Sequence, residues 1–442
     1  MAKQNPFYHR TPIQNINYFC NRQAETKEIL SLLANGQSVS IVGPRRIGKT
    51  SLLFHLKTPE VLATYNLSPE QYCLIYVDCA QWGHLQPHEI FTQLAAEIDQ
   101  ALRRGSPEAV SSDTMTFSAF RQTIKRIINQ GVKLVFLLDE FDGLSKNAHL
   151  SNEFFSALRS LSMHFGVVYI TSSVKSLADL AQANDLTSPF FNFFYQIRLG
   201  LFSFSEAKAL LKRLVALEKA DFTTPVVDAL LEMAGPHPFL LQIAGYYAFH
   251  LKEEREIRLN DADLAQVGNQ FNLQAEPHWH YYWHRLSEHQ QKQLALLSES
   301  LQPDVETGQR LTEACLVVQQ EGKLRYLSPC FGRFVSRQPV RGVVQSLPLI
   351  LDLDQQRVLF DGRPLQLTGL PFDLLVYLVQ HPNQSFSLSQ LEREVWPGGY
   401  EHDKSKERVK KAIQKIRRVL NDEEGNLIVN VRGKGYKFAV PV

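Results

Sequence analysis

Apolar positions follow three rhythms along the chain, and each predicts a different kind of element. Short runs rich in apolar and β-branched residues occur at Val39–Val42, Cys73–Asp78, Leu134–Leu138, Val167–Thr171 and Gln196–Leu199. Helical patterns separate these runs, which predicts strands of a parallel sheet covered on both faces. A second rhythm, near 3.6 residues, places Val409, Ala412, Ile413, Ile416 and Leu420 on one face of a helix from about Lys404 to Leu420. The third is a hairpin-like alternation in Leu427–Phe438, with Gly433 and Gly435 at the tip.

Other elements fill in around these. After Arg337-Gln338-Pro339-Val340-Arg341-Gly342 the pattern changes to short strands at Leu349–Leu353, Arg357–Phe360 and Pro364–Leu367, then helices at about Pro371–Gln380 and Leu388–Val395. The middle of the chain is plainer. There Trp279-His280-Tyr281-Tyr282-Trp283-His284 is expected to begin a helix, Leu286–Leu297 reads as amphipathic, and Cys315–Gln319 and Leu324–Leu327 flank Gly322 as a strand pair.

A length of 442 residues exceeds one ordinary core and predicts several domains. With 44% hydrophobic and 21% charged residues, the composition is that of a globular protein rather than a disordered one. The opening MAKQNPFYHR lacks a secretory apolar core and no stretch is long enough to span a bilayer, so a cytoplasmic location is expected. Cys20, Cys73, Cys79, Cys315 and Cys330 form no CxxC or zinc-like pattern and read as reduced core thiols. The net charge of +2 hides an uneven distribution: eleven Lys or Arg against four acids lie between Lys404 and Lys437. A cationic C-terminal end on an otherwise net acidic chain follows.

Two motifs carry chemistry in the first half. The strand ending at Val42 runs into Gly43-Pro44-Arg45-Arg46-Ile47-Gly48-Lys49-Thr50 and then a helix with Leu52, Leu53 and Leu56, the Walker A form in strand-loop-helix context. Its backbone N–H groups and helix N-terminus suit phosphates, Lys49 suits the β/γ-phosphates, and the Thr50 hydroxyl suits Mg²⁺. Nucleotide contacts are therefore expected at Gly43, Arg45, Arg46, Ile47, Gly48, Lys49, Thr50 and Ser51. The run Leu134-Val135-Phe136-Leu137-Leu138-Asp139-Glu140 is a Walker B: Asp139 is expected to hold Mg²⁺ and Glu140 to polarise the attacking water. At the end of another strand, Ser172 in Thr171-Ser172-Ser173 either reports the γ-phosphate or is an ordinary polar strand end.

Residues of roughly 15–260 resemble the AAA-related ATPases of the STAND and archaeal-type group. Phe19-Cys20-Asn21-Arg22-Gln23-Ala24-Glu25 resembles that group's F-x-G-R-x-x-E segment beside the adenine, with Asn21 where glycine is usual. Gly235-Pro236-His237-Pro238-Phe239 resembles its G-G-x-P lid motif, with Pro236 replacing the second glycine. The resemblance implies base contacts at Arg22 and Pro238, a helical lid, and nucleotide-dependent homo-oligomerisation. It also implies a trans-acting arginine finger, for which Arg159 and Arg198 are candidates.

On the predicted cationic helix, Lys411, Gln414, Lys415 and Arg418, flanked by Arg408 and Lys410, lie opposite the apolar stripe. Such a face suits a major groove, and the glycine-tipped hairpin with Arg432 and Lys434 suits an adjacent minor groove. Residues 348–440 resemble the winged-helix effector domain of OmpR/PhoB-type response regulators, through the R-V…I-x-x-I-R-R-x-L helix, the V-R-G-x-G-Y-x-F wing and Trp396 closing the second helix. Duplex DNA is the implied partner. No receiver domain precedes this one in the chain.

The expected fold is multidomain: an α/β P-loop NTPase domain with a parallel sheet at 1–202, a helical lid at 203–262, a winged-helix-like module at 263–338, a linker at 339–347 and the DNA-binding winged helix at 348–442. The expected function is an ATP-binding, ATP-hydrolysing DNA-binding regulator using ATP and Mg²⁺. A DNA-acting ATPase of a mobile element or defence system, and a nucleotide-stabilised scaffold, stay open beside it.

Overall fold

A computed structural model describes residues 4–7, 10–102, 115–255, 258–346, 348–395 and 405–440. The chain forms two compact units, Met1–Gly268 and Asn269–Val442. Among the described residues no helix is long and apolar enough to cross a membrane.

The first unit is built on five strands: β1 (Val39–Val42), β2 (Tyr72–Asp78), β3 (Lys133–Asp139), β4 (Val168–Ser173) and β5 (Tyr195–Arg198). They pair in the order β2-β3-β4-β1-β5, all parallel. Of the three interior strands, β1 and β4 are buried throughout and β3 in all but its first residue, as fits strands covered on both faces. Register matches Asp78 with Asp139 and Val42 with both Ser173 and Arg198, so the carboxyl ends of the strands share one edge. Open α/β sheets bind ligands at that edge.

One face of the sheet is packed by Ile90, Phe91 and Leu94 of the helix Pro87–Leu102 and by Phe154, Phe155 and Leu158 of the helix Asn152–Phe165. Three helices follow, Phe204–Leu217, Thr224–Ala234 and Pro238–Arg255. The first opens on a capping box: Ser203 accepts the Glu206 N–H while the Glu206 carboxylate accepts the Ser203 N–H.

In the second unit, helices Glu288–Ala295, Val305–Glu313 and Pro329–Val335 pack with the hairpin of β6 (Val317–Gln320) and β7 (Lys323–Tyr326). A four-stranded antiparallel sheet comes next, of β8 (Val343–Ser346), β9 (Leu349–Asp352), β10 (Arg357–Phe360) and β11 (Arg363–Leu365) in the order β11-β10-β9-β8. Helices Leu370–Gln380, Leu388–Val395 and Ser405–Leu420 and the hairpin of β12 (Ile428–Val431) and β13 (Gly435–Phe438) complete a winged helix. Its core joins Leu349, Leu351, Phe372, Leu375, Ile413, Ile416 and Phe438.

Two expectations need correction. Residues 339–347, read as a linker, contain β8, which extends the sheet by pairing Val343–Ser346 with β9. Trp279–Trp283 ends the helix Asp261–Trp283 instead of beginning one. The helix runs through Pro277, which removes a backbone donor and usually breaks a helix. Burial of Trp279, Tyr282 and Trp283, with Trp279 and Trp283 against Phe334, holds its last turns in place. The Trp396 expectation lies outside the described residues.

Candidate nucleotide site and DNA-contact surface

The loop after β1 leads directly into the helix Lys49–Leu56, whose N-cap Gly48 has φ 103°, a conformation only glycine adopts without strain. Lys49 is 5% exposed, and its ammonium donates to the Gly43 and Pro44 carbonyls of the same loop at 2.9 and 3.0 Å. Burial pushes the Lys49 ammonium below the ordinary lysine range, against the pull of Glu140, Asp139 and Asp142. A lysine held this way exchanges two loop carbonyls for phosphate oxygens at little desolvation cost, because it is already out of water.

At the end of β3, Asp139 is buried and receives the Ser172 hydroxyl and the Glu140 N–H on one oxygen and the Tyr76 hydroxyl on the other. Glu140 sits just beyond in a left-handed conformation, φ 49° and ψ 45°. Burial raises its carboxyl above the usual range, with Lys49 opposing. Non-glycine residues in this region cost energy and cluster at functional sites. Arg46, at φ 64°, and Asn21 and Arg22, at φ 64° and 65°, are three more beside the same loop. Asn21 thus occupies a position that needs glycine's freedom, and asparagine is among the side chains that tolerate it best.

A cavity of about 400 Å³ opens over this loop. Its lining combines Arg45, Arg46, Ile47, Gly48, Lys49, Thr50, Ser51 and Glu140 with Phe19, Phe202, Pro238 and Phe239. Charged loop residues together with apolar and aromatic walls suit a nucleoside polyphosphate. Arg46 lies 5.3 Å over the Phe239 ring at the start of the helix Pro238–Arg255, so the loop and this helix meet at the cavity.

Some expected site residues take different parts. The Arg22 guanidinium donates to Ile47 O at 3.3 Å and Gly200 O at 2.6 Å, pairs with Glu25 at 2.9 Å and lies over Phe202. It lines the cavity, yet its donors serve to clamp the loop to the chain beyond β5. Ser172 turns its hydroxyl to Asp139. Arg159 is half-buried on the helix Asn152–Phe165 and Arg198 is exposed at the end of β5; neither is among the described residues lining the cavity.

Thr11, Pro12 and Ile13 were not anticipated from the sequence, and they also line the cavity. Ser51 Oγ accepts the Ile13 N–H at 3.0 Å, and Arg46 donates to Arg10 O at 3.2 Å. Nothing in their own pattern marks them, because their role comes from crossing over the loop. The chemistry of the donor set also fits a hard cation: a hydroxyl at Thr50 and a fixed carboxylate at Asp139 are both oxygen ligands.

The helix Ser405–Leu420 buries Val409, Ala412, Ile413, Ile416 and Leu420 and exposes Arg408, Lys410, Lys411, Gln414, Lys415 and Arg418. Arg432 and Lys434 are exposed at the hairpin tip. Arg417, of the same helix, points elsewhere: its guanidinium donates to Ile428 O at 3.1 and 2.6 Å and tethers helix to hairpin. Asp422 fixes the turn between them by accepting the N–H groups of Asn426, Leu427 and Ile428 at 2.6, 3.0 and 2.8 Å.

A family model described as Novel STAND NTPase 2 matches residues 24–300, and one described as Transcriptional regulatory protein, C terminal, matches residues 362–438. The transcriptional regulatory protein SrrA of Staphylococcus aureus is 36% identical over 108 residues, 24% of this chain and 44% of that protein. The chain therefore spans less than half the length of this curated relative. Among solved structures, the Walker-type ATPase of Pyrococcus abyssi superposes with a TM-score of 0.54 at 15% identity, over 74% of this chain and 98% of that one. The ORC2 protein of Aeropyrum pernix, in ADPNP–ADP complexes, gives 0.50 at 13% identity, over 75% and 96%. At these identities the likeness is one of fold.

Proposed function

Since the chain belongs to the Novel STAND NTPase 2 family, whose model matches more than half of it, we propose that it is an ATP-binding, ATP-hydrolysing regulator that binds duplex DNA through its C-terminal winged helix. Nucleotide state, in this reading, controls self-association or DNA binding. The observation that carries it is the presence in one chain of a glycine-rich loop under a cavity with charged and aromatic lining and a helix with one buried and one cationic face.

ATP enters with its base toward Phe202, Pro238 and Phe239 and its phosphates on the loop from Gly43 to Ser51. Lys49 leaves the Gly43 and Pro44 carbonyls for the β/γ-phosphate oxygens. Thr50 and Asp139 would hold Mg²⁺, which supplies charge neutralisation on those oxygens. Glu140 orients the attacking water, and ADP and phosphate are the products. Positioning and electrostatics do most of the catalytic work in such a site. In the second unit, Lys411, Lys415, Arg408, Lys410 and Arg418 meet phosphates or base edges and Gln414 meets a base edge, while Arg432 and Lys434 reach a neighbouring minor groove.

ATP binding and phosphate release by the full chain test the catalytic half. Wild type is expected to bind and turn over ATP, Lys49→Ala to lose binding, and Glu140→Gln to bind without turnover. Binding undiminished in Lys49→Ala contradicts the placement of the phosphates.

A further inference from the structure

The carboxylate of Asp139 is held by three donors from three strands or strand ends. Ser172, on β4, and the Glu140 N–H, at 3.1 Å, share Oδ1. Tyr76, on β2, donates its hydroxyl to Oδ2 at 3.0 Å. Tyr76 is opposite Leu137 in the β2–β3 register, so its side chain reaches along the sheet edge to the residue that ends β3. Its ring stacks on Phe54 at 4.6 Å and 26°, and Phe54 belongs to the helix that Lys49 opens. One tyrosine therefore touches both the phosphate-loop helix and the Walker B aspartate.

An ionised carboxylate offers about four acceptor sites, so three fixed donors leave little choice in where the remaining capacity points. We propose that Tyr76 is a positioning residue for the divalent cation: its hydroxyl orients Asp139 through Oδ2, and its ring keeps that orientation in step with the phosphate-loop helix. The inference rests on the Mg·ATP reading above. Removing the hydroxyl leaves Asp139 held through Oδ1 alone, by Ser172 and the Glu140 N–H, so Oδ2 loses its fixed direction; this weakens the hold on the cation and leaves the contacts of the loop with the nucleotide in place. Outer-shell partners of metal ligands typically change metal affinity by about 10–100-fold.

Tyr76→Phe in the full chain keeps the ring on Phe54 and removes only the oxygen. Binding of a fluorescent ATP analogue is measured in EDTA and across a Mg²⁺ titration, for wild type, Tyr76→Phe, Asp139→Asn and the double variant. The expected result is an EDTA affinity for Tyr76→Phe within about twofold of wild type and a Mg²⁺ half-saturation raised about tenfold, the low end of the outer-shell range. In the Asp139→Asn background the tyrosine change should add nothing. An unchanged Mg²⁺ half-saturation overturns the inference and leaves the nucleotide reading standing. Equal weakening with and without Mg²⁺ overturns it too, since that is the mark of a packing role. A wild type whose nucleotide affinity ignores Mg²⁺ overturns the inference and the metal-dependent reading together.

Discussion

Glu140 is the residue at which sequence and structure say most together. The motifs are local, so the position of Lys49, Thr50 and Glu140 beside one cavity could be expected from the chain alone, while their roles remain those proposed above. The strained backbone at Glu140 and its raised carboxyl could not, because they come from burial and from charges brought in by folding. The sign of the pH effect follows. If Glu140 orients the water as proposed, its carboxylate form is needed, so hydrolysis should be present above the raised pKa and lost as pH falls through it, placing the acid limb above the ordinary value of 4.5. Glu140→Gln should lower turnover by roughly 10²-fold or more and abolish that limb, which a pH series of phosphate release checks. A variant that keeps the limb assigns it to another group. Arg22 makes the complementary point. Its motif placed it near the nucleotide, but its partners at Ile47 and at Gly200, 178 positions away, are set by tertiary structure alone.

Among elements, the helix Ser405–Leu420 was the most legible, since the apolar positions that repeat with its period are those it buries among the described residues. β8 was the least: Val343–Ser346 follows a Pro- and Gly-marked stretch and gains its strand character only from pairing with β9. Pro277 inside the helix Asp261–Trp283 is a local breaking signal that aromatic packing overrides. The wing shows a subtler case. Its glycines read as turn residues, and Gly435 does have φ 108°, yet a Cβ there would also lie 1.9 Å from the Phe386 carbonyl oxygen. Phe386 and Tyr436 exchange backbone hydrogen bonds at 2.9 Å, so the glycine lets the wing dock on the domain. Gly435→Ala should destabilise the second unit by roughly 2 kcal/mol or more and weaken DNA binding while sparing ATP hydrolysis, read by thermal unfolding and both assays. On the helix, Lys411→Ala should reduce the salt slope of DNA binding by about 0.9 per lost phosphate contact, whereas Gln414→Ala should relax sequence preference at an unchanged slope.

For the whole molecule the claim is one of coupling: a nucleotide site in the first unit governs DNA contact by the second. The family match and the C-terminal match put an NTPase domain and a transcriptional-regulator C-terminal domain in one chain, and the cavity and the cationic face are the places proposed for the two functions. Coupling itself is tested by duplex-DNA binding, followed by fluorescence anisotropy across a salt series with ATP, with ADP and without nucleotide, for wild type and Lys49→Ala. Neutralising about five phosphates predicts a log–log salt slope near −4.5. The account predicts that slope together with an affinity that changes with nucleotide in wild type and not in Lys49→Ala. A wild-type affinity that is the same in all three nucleotide states, or no binding in any of them, contradicts it.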